Sequence, residues 1–185
     1  ADDFVAEVRA QMPAWQPADP LDERTTMGAL VDEGQLRTVL GYIDAGRAEG
    51  ATCHGGAQAR AETGGFYVEP TVFDHATNAM RIAREEIFGP VMAVIRFGTE
   101  EDAVRIANDS PFGLQASVWS HDLDRAHRVA RALRAGTVHV NQYDEDDITV
   151  PFGGFKQSGN GRDKSLHALE KYTELKTTWL RIDGA

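Results

Sequence analysis

Apolar residues recur at helical spacing from the start of the chain: Phe4, Val5, Val8 and Met12 predict a first helix. No capping residue precedes them, so the helix reads as entered midway and the chain as the back part of something longer. Met12-Pro13-Ala14-Trp15-Gln16-Pro17-Ala18-Asp19-Pro20, with prolines at 13, 17 and 20, predicts an irregular connector. Asp32 followed three residues later by Gln35 resembles a capping box. Leu36, Val39, Leu40 and Ile43 then share one helical face, and Gly50 closes that helix. Residues 51–54, 66–68 and 71–73 are strand candidates, separated by turns at Gly55-Gly56 and Gly64-Gly65. The largely apolar run 91–97 predicts a buried strand. Thr99 can cap a helix over 100–107, and Pro111-Phe112-Gly113 turns the chain into a strand at 116–120. Leu123, Ala126, Ala130 and Leu133 mark another amphipathic helix, closing on Arg131, Arg134 and a stop at Gly136. Residues 137–140 form the next strand. Residues 165–171 read as helical, and 172–182 as a long terminal strand with no local partner, the kind that pairs with another element or subunit. Strands alternating with helices give the fold class: α/β, a mostly parallel sheet with crossover helices, plus a C-terminal strand.

Composition narrows the function classes. The 185 residues are 42% hydrophobic and 26% charged, the balance of a soluble globular protein, with one domain or a large part of a bigger one. A formal charge of −10 argues against nucleic-acid and anionic-membrane partners. No apolar run approaches the length of a membrane span. One cysteine excludes an intrachain disulfide framework and makes a cytoplasmic location the default.

The stretch around which the chain is organised is Glu85-Glu86-Ile87-Phe88-Gly89-Pro90, set directly before the apolar run. Gly89 permits close approach of backbone or ligand, Pro90 stiffens the exit, and Glu86 and Phe88, two apart, share a side if the segment is extended. A carboxylate beside an aromatic face suits a polyhydroxylated ring such as a nucleotide ribose. A helix end with solvated acids fits the same residues, and spacing alone leaves both open. The acidic run Asp144-Glu145-Asp146-Asp147 is likewise either a solvated loop or a mouth that attracts a cationic substrate. It follows Asn141 at the C-terminal end of a strand, where ligands gather in parallel sheets. The glycine-rich run with Lys156 and Arg162 matches no phosphate-loop or dinucleotide fingerprint and reads as a tight structural loop. Cys53 and His54 are adjacent, but neighbouring strand residues face opposite ways, so the pair reads as incidental rather than as a nucleophile and its base. Six scattered histidines have no metal-ligand spacing, so no metal site is expected.

Four blocks carry a resemblance. Glu85-Glu86-Ile87-Phe88-Gly89-Pro90, Asn108-Asp109-Ser110-Pro111-Phe112-Gly113-Leu114, Ala135-Gly136-Thr137-Val138-His139-Val140-Asn141 and Pro151-Phe152-Gly153-Gly154-Phe155-Lys156-Gln157-Ser158-Gly159 stand in the order and spacing found in NAD(P)-dependent aldehyde dehydrogenases. Gly41-Tyr42-Ile43 and Glu69-Pro70-Thr71-Val72 fit as well. The chain resembles the C-terminal part of that family's subunit. The resemblance implies that residues 1–171 are part of the catalytic domain and 172–185 an oligomerisation strand and tail.

It also implies a reaction in which a cysteine thiolate attacks an aldehyde, hydride passes to the nicotinamide of NAD or NADP, and a glutamate base hydrolyses the thioester. The nucleophile, the base and the cofactor domain lie upstream of these residues in that family, and Cys53 matches no catalytic position. No catalytic residue is therefore assigned here, and the isolated chain is expected to be inactive without the remainder of the subunit. Position by position, Glu86 matches the glutamate on the nicotinamide ribose and Phe88 the aromatic beside it. Gln35 fits a cofactor-contacting polar position, and Leu114 an apolar neighbour of the nicotinamide. Phe152 matches an aromatic of the aldehyde pocket, and 144–147 the loop walling it. Many relatives have an aromatic or apolar residue where Asp146 stands. An acid there favours a cationic aldehyde, so Asp144 and Asp146 look most like those of enzymes acting on aminobutyraldehyde or its γ-glutamyl derivative. The terminal strand implies homodimers or tetramers. From another class comes the alternative of a naturally truncated, non-catalytic module that survives by its oligomerising strand.

Overall fold

A computed structural model describes residues 1–143 and 147–184, which form two compact units, Ala1–Gly98 and Thr99–Ala185.

The first unit begins with α1 (Asp2–Gln11), of whose residues only Val5 is buried; of the predicted apolar face, Val8 and Met12 are half-buried and Phe4 is exposed. After the proline connector comes α2 (Glu33–Ala48). Its N-terminus is fixed where the sequence placed it: the Asp32 carboxylate accepts from Gln35 N at 2.7 Å, supplying a partner for one of the first-turn amides. Gly50 follows the helix at φ +94, the left-handed conformation that stops it cheaply. Leu36, Val39, Ile43 and Gly46 form the buried face of α2. They rest on β1 (Thr52–His54), β3 (Tyr67–Val68, paired with β2, Gln58–Ala59) and β4 (Thr71–Ala76). Phe73, fully buried, lies against Gly46, where a Cβ would come within 2.8 Å of its ring. Burial of side chains such as Phe73, Ile43 and Val39 is worth about 1.5–3 kcal/mol each and supplies most of what holds α2 to the sheet. A short α3 (Arg81–Arg84) then leads through the Glu85–Pro90 loop into β5 (Val91–Ile95). β1 runs antiparallel to β4, and β5 parallel to it from Thr71↔Val91, with an irregularity between Phe73 and Ala76 where His75 turns to φ +57. The predicted strand 71–73 therefore runs three residues further than the apolar run alone suggested.

The second unit opens with α4 (Glu100–Asn108), capped by Thr99 as predicted. β6 (Phe112–Gly113) leads to β7 (Gln115–Val118), then α5 (Leu123–Ala132) crosses to β8 (Thr137–Val140), which lies parallel to β7 from Gln115↔Thr137 to Val118↔Val140. The βαβ reading of the sequence thus holds for β7, α5 and β8, whereas β5 is laddered with β4 in the first unit. β9 (Phe155–Lys156) pairs antiparallel with β6.

Gly136 is not the stop predicted for α5. The helix ends at Ala132 with Leu133 already extended, and Gly136 serves packing instead: a Cβ there would overlap the carbonyl oxygen of Gly153. Residues 166–172 form a 3-10 rather than an α-helix. The predicted terminal strand forms no ladder among the described residues. Leu175, Trp179, Leu180 and Ile182 along it are all exposed.

Candidate functional site

The Glu85–Pro90 loop is held from one side by α2. Gln35 Nε2 donates to the carbonyls of Ile87 at 2.9 Å and Phe88 at 3.0 Å, so the polar side chain read as a cofactor contact is engaged with the loop itself. Gly89 lies against Val39, where a Cβ would come within 2.6 Å of Cγ2; the close approach that this glycine permits is to the helix. At the loop's start the Tyr42 hydroxyl donates to Glu85 Oε2 at 2.7 Å, and Arg81 donates to both Glu85 oxygens at 3.0 and 3.3 Å while its guanidinium lies 5.0 Å from the Tyr42 ring centroid. Arg81 first and Tyr42 second hold the Glu85 carboxyl below its usual pKa, and the same bond raises that of the Tyr42 hydroxyl.

The two adjacent acids are therefore in different states. Glu85 is committed to the protein, whereas Glu86 is exposed and no group among the described residues holds its carboxylate. Between them and the turn, Ile87 is buried in the core cluster while Phe88 is 78% exposed. Glu86 and Phe88 thus emerge and Ile87 plugs in. The backbone does not stay extended, however: Phe88 is left-handed at φ 56, an uncommon conformation for an aromatic residue and one that concentrates at functional loops.

In the second unit, Thr137, His139, Gln142, Asp147, Phe152 and Lys164 line a cavity of about 570 Å³. Thr137 and His139 are two apart on β8 and so share a face, which means the cavity extends along the ribbon and not only past its C-terminal end. Asn141, where that end was expected to offer ligand contacts, is spent on structure: its amide accepts from Ser120 N at 2.8 Å and donates to Ser120 O at 3.0 Å. Asp147 accepts from the Thr149 amide at 2.7 Å and hydroxyl at 2.8 Å, and these bonds lower its pKa, so it stays anionic. Phe152 pairs with Asp163 in an isolated bridge, with Lys164 Nζ 5.4 Å from its ring centroid. Leu114, between β6 and β7, is exposed. Asp144 and Asp146, the acids expected to wall the pocket, lie outside the described residues.

The remaining candidates resolve towards structure. Lys156 Nζ donates to Asn108 O and Ser110 O, both at 2.9 Å, and Arg162 to Gly154 O at 3.1 Å, so these cations bind backbone carbonyls as the tight-loop reading expected. Cys53 packs beside the core cluster with its thiol 3.7 Å from Gly55 O. Among the described residues no cluster of metal-ligating side chains occurs, and no helix is long and apolar enough to cross a membrane. Two anchors of the loop escaped the sequence reading, Val39 and Tyr42; their spacing from Gln35, four and seven residues, is the signal that could have found them.

On the first unit a loop is thus clamped to a helix with the Glu86 carboxylate and the Phe88 ring exposed, and the second unit holds a cavity bordered by Phe152. The model of the aldehyde dehydrogenase family matches residues 1–178, and the chain belongs to that family. It is 50% identical over 184 residues to the NADP/NAD-dependent aldehyde dehydrogenase PuuC of Escherichia coli, covering 100% of this chain and 37% of that protein. Among solved structures it resembles the indole-3-acetaldehyde dehydrogenase AldA of P. syringae, a mutant in complex with NAD+ and IAA, with 60% identity, a TM-score of 0.93, and coverage of 98% of this chain and 37% of that one. The gamma-glutamyl-gamma-aminobutyraldehyde dehydrogenase of Burkholderia cenocepacia matches at 60% identity and a TM-score of 0.91, covering 96% of this chain and 36% of that one. The chain thus spans little more than a third of the length of the relatives it matches.

Proposed function

We propose that these residues are the part of an NAD(P)-dependent aldehyde dehydrogenase subunit that grips the nicotinamide ribose and walls the aldehyde pocket. The net reaction is oxidation of an aldehyde and water to a carboxylate, with NAD(P)+ reduced to NAD(P)H. The observation that carries the reading is the division between Glu85 and Glu86: one carboxylate is held by Arg81 and Tyr42, while the other has no partner among the described residues and stands on a loop with an exposed aromatic ring. An ionised carboxylate accepts the two vicinal hydroxyls of a ribose, and an exposed phenyl ring covers the sugar's apolar side. A nicotinamide cofactor, when bound there, takes up the hydride. In the second unit, Phe152 and the segment 144–147 wall the aldehyde pocket, and Leu114 is the apolar neighbour of the nicotinamide. Cys53, half-buried beside the first unit's core cluster, is not the attacking sulfur; that group and the base come from polypeptide outside these residues, so the chain by itself is inactive.

The substrate is an aminoaldehyde or γ-glutamyl-aminoaldehyde. Similarity to the Burkholderia enzyme supports it, as does the acidic segment, in which Asp147 is held anionic. Residues 172–184, with their exposed apolar side chains, pair with a second copy in a dimer or tetramer, and the location is cytoplasmic.

The experiment is aldehyde-dependent NADH formation by the full-length protein. The panel contains γ-glutamyl-γ-aminobutyraldehyde, a simple aminoaldehyde, indole-3-acetaldehyde and a neutral aliphatic aldehyde. The aminoaldehydes should show the highest kcat/KM, and Glu86→Gln should lower kcat by about 10- to 100-fold through poorer placement of the nicotinamide. A preference for indole-3-acetaldehyde overturns the substrate assignment, and an unimpaired Glu86→Gln overturns the role of the loop.

A further inference from the structure

Gln35, Val39 and Tyr42 stand at i, i+4 and i+7 on α2 and so form one stripe. Each meets the loop at a different place: Tyr42 holds the side chain of Glu85, Gln35 the carbonyls of Ile87 and Phe88, and Val39 fills the space that Gly89 leaves open. A carboxamide has two hydrogens on its nitrogen. Two carbonyl oxygens within 3.0 Å need donors, which fixes the nitrogen towards the loop and uses it fully. What remains of Gln35 is Oε1, an acceptor only.

These carbonyls flank the residue at which the chain takes a left-handed turn, and Phe88 does so without the freedom of glycine. A non-glycine residue keeps such a conformation only where its surroundings enforce it. Gln35 grips the peptide units on both sides of the Phe88 nitrogen and α-carbon, and is the side chain placed to enforce it.

Resting on the ribose reading given above, we propose that Gln35 is a positioning residue: it holds Phe88 in its left-handed turn and thereby presents the Glu86 carboxylate before any cofactor arrives. Its effect on the cofactor passes through the loop, and any direct contact it makes is confined to accepting a hydrogen bond at Oε1.

The test uses the full-length protein with Gln35→Met, which keeps the length and removes both donors, Gln35→Glu, and Glu86→Gln as reference. Amide hydrogen exchange is followed without cofactor, and NAD+ affinity with it. In Gln35→Met, amides of the 86–91 segment should exchange about tenfold faster, while those of α2 keep their protection and so report an intact fold. Its NAD+ affinity should fall together with kcat, as in Glu86→Gln, whose loop exchange stays at the wild-type rate. In Gln35→Glu the ionised carboxylate faces two carbonyl oxygens and repels them, whereas the protonated carboxyl supplies one donor. NAD+ affinity in this variant should therefore recover as pH falls from 8 towards 6, a dependence the wild type lacks. Unchanged loop exchange in Gln35→Met with weakened NAD+ binding makes Gln35 a direct contact and overturns the proposal. So does a Gln35→Glu profile that parallels the wild type. If Glu86→Gln alone leaves NAD+ binding intact, the ribose reading fails, and the exchange rates still decide whether Gln35 holds the loop.

Discussion

Asp74 in β4 has a side chain only 8% exposed, and Arg96 meets both of its oxygens, at 3.1 and 2.7 Å, while passing its remaining amino group to Asp2 at 2.7 Å. The hydrogen-bonded guanidinium lowers the Asp74 pKa from the usual 3.8 to about 2. A carboxyl with a depressed folded-state pKa stabilises the fold above its unfolded value, and that stabilisation is lost as pH falls from about 4 through about 2. Asp74→Asn should therefore melt at a lower temperature than wild type at pH 7, with the difference closing below pH 3. A constant difference from pH 7 to pH 2 would show that the ion pair is not its source. The same scale explains how two neighbouring acids in one motif differ: the sequence singled out Glu86 but gave Glu85 no role, because the groups that claim Glu85, Tyr42 and Arg81, lie in other elements.

Three of the four sequence blocks that carried the family resemblance turn out to lock one another. Gly113 leaves room for the Arg134 carbonyl and Gly136 for that of Gly153, while Gln157 N donates to Pro111 O at 2.9 Å and Gly113 N to Ser158 Oγ at 3.0 Å. Gly136→Ala should cost more than about 3 kcal/mol, since the obstacle is backbone and cannot rotate away. Gly41→Ala, at an α2 position with nothing within 4 Å of the added carbon, should raise stability by about 0.5–1 kcal/mol. Thermal melting of the two variants tests the contrast, and equal shifts would remove the basis for the lock. The long elements were readable because their signals are local: a cap at Asp32, a stop at Gly50, Thr99 ahead of α4, and for β5 the apolar run that follows Pro90. Of the four two-residue strands among the described residues, β3 fell within the predicted run 66–68, whereas β2, β6 and β9 are too short for any period to register. The glycine lock was invisible for a different reason, since it joins backbones distant in sequence and leaves no side-chain pattern. For the candidate site, the loop and its free acid were legible, whereas the helix stripe that shapes the loop needed the tertiary contact to be seen.

At the scale of the whole molecule, the apolar residues left exposed on 172–184 have a testable consequence. Deleting residues 172–185 from the full-length protein should lower its oligomeric state, measured by sedimentation velocity, and an unchanged coefficient would refute a pairing role for that segment. The glutamine clamp has a consequence of another kind. Gln35 and the carbonyls it holds are 52 and 53 positions apart, so the clamped loop cannot take shape when α2 does. On a translating ribosome the helix is made first and waits, its stripe unmatched, until β4 has a parallel neighbour in β5. Local contacts form early and distant ones late, which makes the clamped Glu85–Pro90 loop one of the last features of the first unit to mature, and leaves a product released too soon with a helix but no ordered loop.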